Sequence, residues 1–159
     1  MPTITPCLWF VDQAEAAADL YVSIFPRSSV LGVVRYPEGG QLPAGTVMLV
    51  EFELDGVRFT ALNGGPHHSF NDAVSFQVPC ADQGELDRVW ERLGDGGRYV
   101  QCGWLQDRFG VSWQVVPADL GALMGSTPEQ QARSNAALMQ MVKIDIAALE
   151  AARDGVARP

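Results

Sequence analysis

Asp82-Gln83-Gly84-Glu85 repeats, 70 residues on, the pattern of Asp12-Gln13-Ala14-Glu15: an aspartate with a glutamate three positions later, at the head of an amphipathic segment. In such a box the aspartate accepts from the amide three residues ahead while the glutamate reaches back, so two otherwise orphaned amides are satisfied and a helix starts. One box arises readily by chance. Two at corresponding points of a repeated order of elements indicate an internal duplication.

Around the first box, residues 4–11 form an apolar strand-like run, and a helix is expected over 13–25 with Ala16, Ala17, Leu20, Tyr21, Ile24 and Phe25 as its core stripe. Pro26 stops it. Strands are expected at 30–36, 46–54 and 57–62, the last two joined by Asp55-Gly56, a tight-hairpin signal. Around the second box the order recurs. Residues 73–79 read as a strand with Val74, Phe76 and Val78 on an apolar face and Ser75 and Gln77 on a polar one. A helix to about Leu93 carries Leu86, Val89, Trp90 and Leu93, and Gly94 to Gly97 breaks it. Strands follow around 99–105 and 111–116, the middle strand being short and hard to place.

Beyond Pro117 the pattern turns helical: a short helix at 118–124, a capped start at Thr127-Pro128-Glu129-Gln130, an alanine and methionine stripe over 132–141, and a last helix over 146–153 between Asp145 and Gly155. Met139, Met141, Ile144 and Leu149 are the anchors expected to pack this tail on the sheet or on a partner subunit. The expected organisation is a domain over 1–125, with modules at about 3–66 and 70–117, and a helical extension over 126–159.

The 159 residues, 47% hydrophobic and 19% charged, suffice for a substantial core. No apolar run approaches the length that spans a bilayer, and Met1-Pro2-Thr3-Ile4-Thr5 lacks the basic start and apolar middle of a signal peptide; a cytoplasmic protein without membrane contact is expected. A net charge of −8 with scattered basic residues argues against nucleic acid. Cys7, Cys80 and Cys102 show neither zinc-ligand nor disulfide spacing.

The doubled β-α-β-β-β order, with Thr5-Pro6-Cys7-Leu8-Trp9-Phe10, Leu62-Asn63-Gly64-Gly65-Pro66, Val74-Ser75-Phe76-Gln77-Val78, Cys102-Gly103-Trp104 and Asp107-Arg108-Phe109-Gly110-Val111-Ser112-Trp113-Gln114, resembles the PhnB-like branch of the vicinal oxygen chelate superfamily. That superfamily includes glyoxalase I, extradiol dioxygenases and bleomycin resistance proteins, and this branch often carries the name 3-demethylubiquinone 3-methyltransferase. The resemblance implies an α+β fold of two tandem βαβββ modules forming a cup-shaped mixed sheet around a small-molecule cavity, usually as a homodimer, with a C-terminal helical extension. Metal-using relatives place ligands on the first, fourth, fifth and eighth strands. Carried over, these positions fall on Pro6 or Cys7, on Thr60 or Ala61, near Ala73, and on Gln114. None is a carboxylate or imidazole, so no metal is expected.

Eight residues are candidate ligand contacts: Trp9, Asn63, His67, Ser75, Gln77, Cys102, Trp104 and Gln114. Asn63 either orients a ligand or caps its glycine turn. His67 and His68 are adjacent on a loop and cannot both face one site; solvent exposure is the default reading, and if one of them enters the cavity it is His67. Phe70 is a lid or a dimer contact. Ser75 and Gln77 line the polar face, where Gln77 meets a ligand or a neighbouring strand. Cys102 has no assignable base, cation or helix N-terminus to activate it, leaving cavity lining or core packing as readings beside catalysis. Trp104 suits ligand stacking, whereas Trp113, one residue from Gln114, faces the helix. Asp107 and Arg108 belong to the turn before the last strand. The expected function is metal-free small-molecule binding without a cofactor; the alternative is a metal-free enzyme using Gln114, Asn63 and His67 or Cys102 toward an oxyanion. Methyl transfer is disfavoured because Asn63-Gly64-Gly65-Pro66 leads into proline and two histidines rather than a helix.

Overall fold

The computed structural model describes residues 4–156. It divides into two compact units, Met1–Phe70 and Asn71–Pro159. The first runs β1 (Cys7–Phe10), α1 (Ala14–Ile24), β2 (Ser29–Arg35), β3 (Val47–Leu54) and β4 (Val57–Asn63). The second runs β5 (Phe76–Cys80), α2 (Gln83–Gly94), β6 (Arg98–Tyr99), β7 (Trp104–Gln106) and β8 (Ser112–Pro117), then α3 (Leu120–Met124), α4 (Pro128–Leu138) and α5 (Ile146–Asp154). Their sheets have orders β1-β4-β3-β2 and β5-β8-β7-β6, the same topology twice. In each, the first strand pairs parallel with the fourth, and the remaining neighbours pair antiparallel. The expected α+β fold of duplicated βαβββ modules followed by helices is what the chain forms.

Each sheet is greasy on one face. In the first unit Leu8, Phe10, Val50, Phe52, Phe59 and Ala61 bury against α1, which supplies Ala14, Ala17, Ala18, Tyr21 and Ile24. The stripe therefore includes Ala14 and Ala18 and leaves Ala16 outside, a rotation of the expected one. In the second unit α2 buries Leu86, Val89, Trp90 and Leu93, as expected, over Leu105, Trp113 and Val115. The hairpin at Asp55-Gly56 has positive φ at both residues (46° and 84°), matching the twist of its strands.

The two boxes behave differently. Asp82 caps α2 by accepting from Glu85 N–H at 2.8 Å, and Glu85 reaches back to the Ala81 amide at 2.8 Å. At α1 no side chain of the N-cap residue, Gln13, caps the helix. Instead Ala14 N–H donates to Asn63 Oδ1 across the fold at 2.8 Å, so Asp12 is not the cap its sequence pattern suggests.

Other expectations are corrected at strand ends. β5 begins at Phe76, leaving Val74 71% exposed rather than on the apolar face. The strand expected over 99–105 is two strands, because Cys102 and Gly103, both at positive φ, turn the chain between β6 and β7. The tail starts as expected: Thr127 and Gln130 complete a capping box, Asp145 caps α5, and Gly155 ends it at φ 73°. It packs within the second unit. Met141 and Val142 carbonyls accept from Cys102 and Gly103 N–H at 2.8 and 2.9 Å. Gln83 donates to Ile144 O at 3.1 Å and accepts from Ile146 N–H at 2.9 Å. Ile144 and Leu149 are fully buried anchors, whereas Met139 is 49% exposed and does not serve as one.

Candidate functional site

Register lines up three of the expected contacts on one row of the second sheet: Gln77 of β5 opposes Gln114 of β8, and Gln114 opposes Trp104 of β7. Their neighbours in sequence, Phe76, Trp113 and Leu105, point to the α2 side, as strand alternation requires. Gln114 Nε2 donates to Ser75 Oγ at 2.8 Å, and Gln77 Nε2 donates to Gln114 Oε1 at 3.3 Å. The two amides and the hydroxyl thus form one chain of hydrogen bonds beside the half-buried Trp104 indole.

The next row carries Arg98, Gln106 and Ser112, again in register. Asp72, from the loop before β5, closes it: its Oδ1 accepts from Ser112 Oγ and from Gln106 Nε2, both at 2.7 Å. Those two donors, Ser112 first, hold the Asp72 carboxyl below its ordinary pKa. Beside both rows is a cavity of about 330 Å³ lined by Asp72, Val100, Gln101, Cys102, Trp104 and Leu105. Sequence reading missed Asp72, Gln106 and Ser112. Gln106 and Ser112 alternate in phase with Trp104 and Gln114, a readable signal, but only the fold of its loop brings Asp72 to them.

Cys102 lines the cavity with its Sγ 3.5 Å from Leu138 O and 3.7 Å from Met139 Sδ, groups that cannot take its proton. Cys80 is buried, and that burial pushes its thiol up to about 11, so it stays protonated and inert near neutrality. Asp107 is a buried turn carboxylate. It accepts from Phe109 and Val111 N–H at 2.8 and 3.1 Å and from Trp113 Nε1 at 2.9 Å, which fixes both the turn and the core tryptophan.

In the first unit Asn63 is 3% exposed and both ends of its amide bond inside the chain, Oδ1 to Ala14 N–H and Nδ2 to Val47 O at 3.0 Å. Neither a ligand nor the glycine turn receives these bonds. Trp9 Nε1 donates to Gly65 O at 2.9 Å, and its ring takes the edge of His68 at a centroid separation of 4.8 Å. A Cβ on Gly64 would fall 2.2 Å from the Trp9 ring, so only glycine lets the loop pass. His67 is exposed, and Phe70 sits edge-on to Phe10 at 5.1 Å.

Fit to a divalent metal follows from the pairing of first and fourth strands in each sheet. β1 and β4 align Cys7 with Thr60, while β5 and β8 align Gln77 with Gln114; Ala73 lies before β5, outside the row. Neither the thiol and hydroxyl pair of the first unit nor the amide pair of the second offers the carboxylate or imidazole donors that such an ion needs. Among the described residues no three His, Cys, Asp or Glu side chains gather as a metal site.

Two βαβββ modules with this strand order define the vicinal oxygen chelate class of fold. The profile described as 3-demethylubiquinone-9 3-methyltransferase matches residues 2–116, and the chain belongs to that family, the PhnB-like branch of the class. A PhnB protein from Bacillus cereus carrying the same enzyme name is 33% identical over 72% of this chain and 99% of its own, with a TM-score of 0.67. Protein PA1353 from Pseudomonas aeruginosa shares the fold at 19% identity, covering 74% of this chain and 97% of its own, with a TM-score of 0.60. A genomically encoded fosfomycin resistance protein, FosX, from Listeria monocytogenes shares it at 16% identity, 74% and 92% coverage, and a TM-score of 0.50. No curated protein matches the chain.

Proposed function

We propose that this chain binds a small, partly aromatic molecule without a metal, on the row Gln77, Gln114 and Trp104 and in the cavity beside it. The observation that carries the reading is the Gln77–Gln114–Ser75 hydrogen-bond chain, set in register with Trp104, the residue through which this row meets the largely apolar hollow. Such hollows recognise ligands through apolar contact plus a few fixed polar groups. Two amides offer both donors and acceptors and hold no net charge, which suits a carbonyl or hydroxyl.

Binding is favoured over catalysis by the surroundings of Cys102, whose sulfur faces a carbonyl and a thioether rather than a base. The family name does not bring methyl transfer with it. After β4 the chain runs through Gly64 and Gly65 into a loop closed down on Trp9, whereas a cofactor cradle of that chemistry opens into a helix N-terminus. The apolar β2, an edge strand with Val30, Leu31, Val33 and Val34 exposed, supports a homodimer. Unpaired cysteines suit the reducing cytoplasm. No helix among the described residues is long and apolar enough to cross a membrane.

A thermal-shift screen of small aromatics and carbonyl metabolites tests the reading. At least one compound is expected to raise the melting temperature, with affinity falling about tenfold in Trp104→Ala and in Gln114→Ala while both variants stay folded. A screen in which no compound shifts melting removes the binding reading. Tight uptake of one equivalent of Ni or Zn by chelator-free protein removes the metal-free part of it.

A further inference from the structure

We propose that the cavity beside Trp104 takes an organic cation, a protonated amine on a flat apolar body, with Asp72 as its counter-charge. This rests on the small-molecule reading above and narrows it to a ligand class.

Of the six described residues lining the 330 Å³ hollow, Asp72 alone is charged; Val100, Cys102, Trp104 and Leu105 make the remaining wall chiefly apolar. The carboxylate is held in place. Its Oδ1 already accepts from Ser112 and Gln106 at 2.7 Å each, whereas Oδ2 lies 3.9 Å from Arg98 Nη2, beyond hydrogen-bond range. One oxygen is therefore anchored and the other remains available to an incoming N–H donor. The same two hydrogen bonds lower the pKa of the group and so favour its charged form.

Trp104 supplies the second half of the recognition. An indole face attracts a cation through its quadrupole as well as packing on an aromatic body, and a nearby carboxylate reinforces that preference. A neutral ligand would use the ring but not the charge of Asp72. An anionic ligand would meet Asp72 and the net charge of −8 as repulsion.

The test is a calorimetric titration with two probes of one shape, 2-naphthylmethylamine and 2-naphthylmethanol, against wild-type protein and the Trp104→Ala, Asp72→Asn and Arg98→Gln variants. Wild type is expected to bind the amine about tenfold more tightly than the alcohol. Asp72→Asn should bring the two within about twofold of each other, Trp104→Ala should weaken both, and Arg98→Gln, which removes a competing cation at an exposed position, should tighten the amine about threefold. An alcohol that binds as well as the amine overturns the cation class while leaving the small-molecule reading intact. So does a preference that survives Asp72→Asn. If that variant does not fold, Arg98→Gln decides, and no gain in amine affinity overturns the proposal. If neither probe binds, the cation class falls, and the wider ligand screen judges the parent reading separately.

Discussion

Asn63 sits where β4, β3 and the start of α1 meet, and its amide satisfies one backbone group from each of the other two elements. Asn63→Ala leaves the Ala14 N–H and the Val47 carbonyl without those partners in a buried place. The expected loss is about 2–6 kcal/mol, since each unsatisfied buried backbone group costs about 1–3 kcal/mol; urea unfolding measures it, and a loss below about 0.5 kcal/mol would refute the capping role. The sequence marked Asn63 as special through its place before a glycine pair, but it offered the wrong reasons. A side chain that caps a helix 49 residues away leaves no local trace. Asp107 is the opposite case: its partners lie two to six residues ahead, so the turn role was readable from the acidic residue before Gly110.

At the scale of elements, the tail is tied to α2 by a two-way bond from Gln83 and by Lys143, which pairs with Asp87 at 2.7 Å. Gln83→Ala is expected to lower stability by about 1–2 kcal/mol and to raise amide hydrogen exchange around Ile144 and Ile146. Unchanged exchange there would show that the buried Ile144 and Leu149 hold the tail alone. Acid should act in the same direction. Lys143, then Gln83, depress the Asp87 pKa, so its contribution is present above the ordinary carboxylate pKa of about 3.9 and is lost as pH falls through the lower folded value. Helices were legible in sequence because capping boxes, apolar spacing and glycine stops are local. Strand ends were less so: β5 starts later than alternation suggested, since alternation continues through Val74 although no neighbouring strand is there to pair with it.

For the whole molecule, duplication is visible in both sequence and topology, and β2 is an edge strand with exposed apolar residues, the surface on which the proposed homodimer is tested. Sedimentation equilibrium should give twice the 17.2 kDa chain mass, and the Leu31→Lys, Val33→Lys double variant should give the single-chain mass. A wild-type monomer at high micromolar concentration would sink the homodimer. By itself the sequence determined the doubled βαβββ order, the greasy face of α2, the capped tail and the absence of carboxylates or histidines at the carried-over ligand positions, because these follow from residue type and short-range periodicity. Only the tertiary structure decided that Gln77 rather than Ala73 stands opposite Gln114, that Asn63 rather than Asp12 caps α1, and that Asp72 joins Ser112 and Gln106 beside Trp104. Each of these depends on strand register or on a loop's path, which bring distant side chains together through contacts that no local pattern encodes.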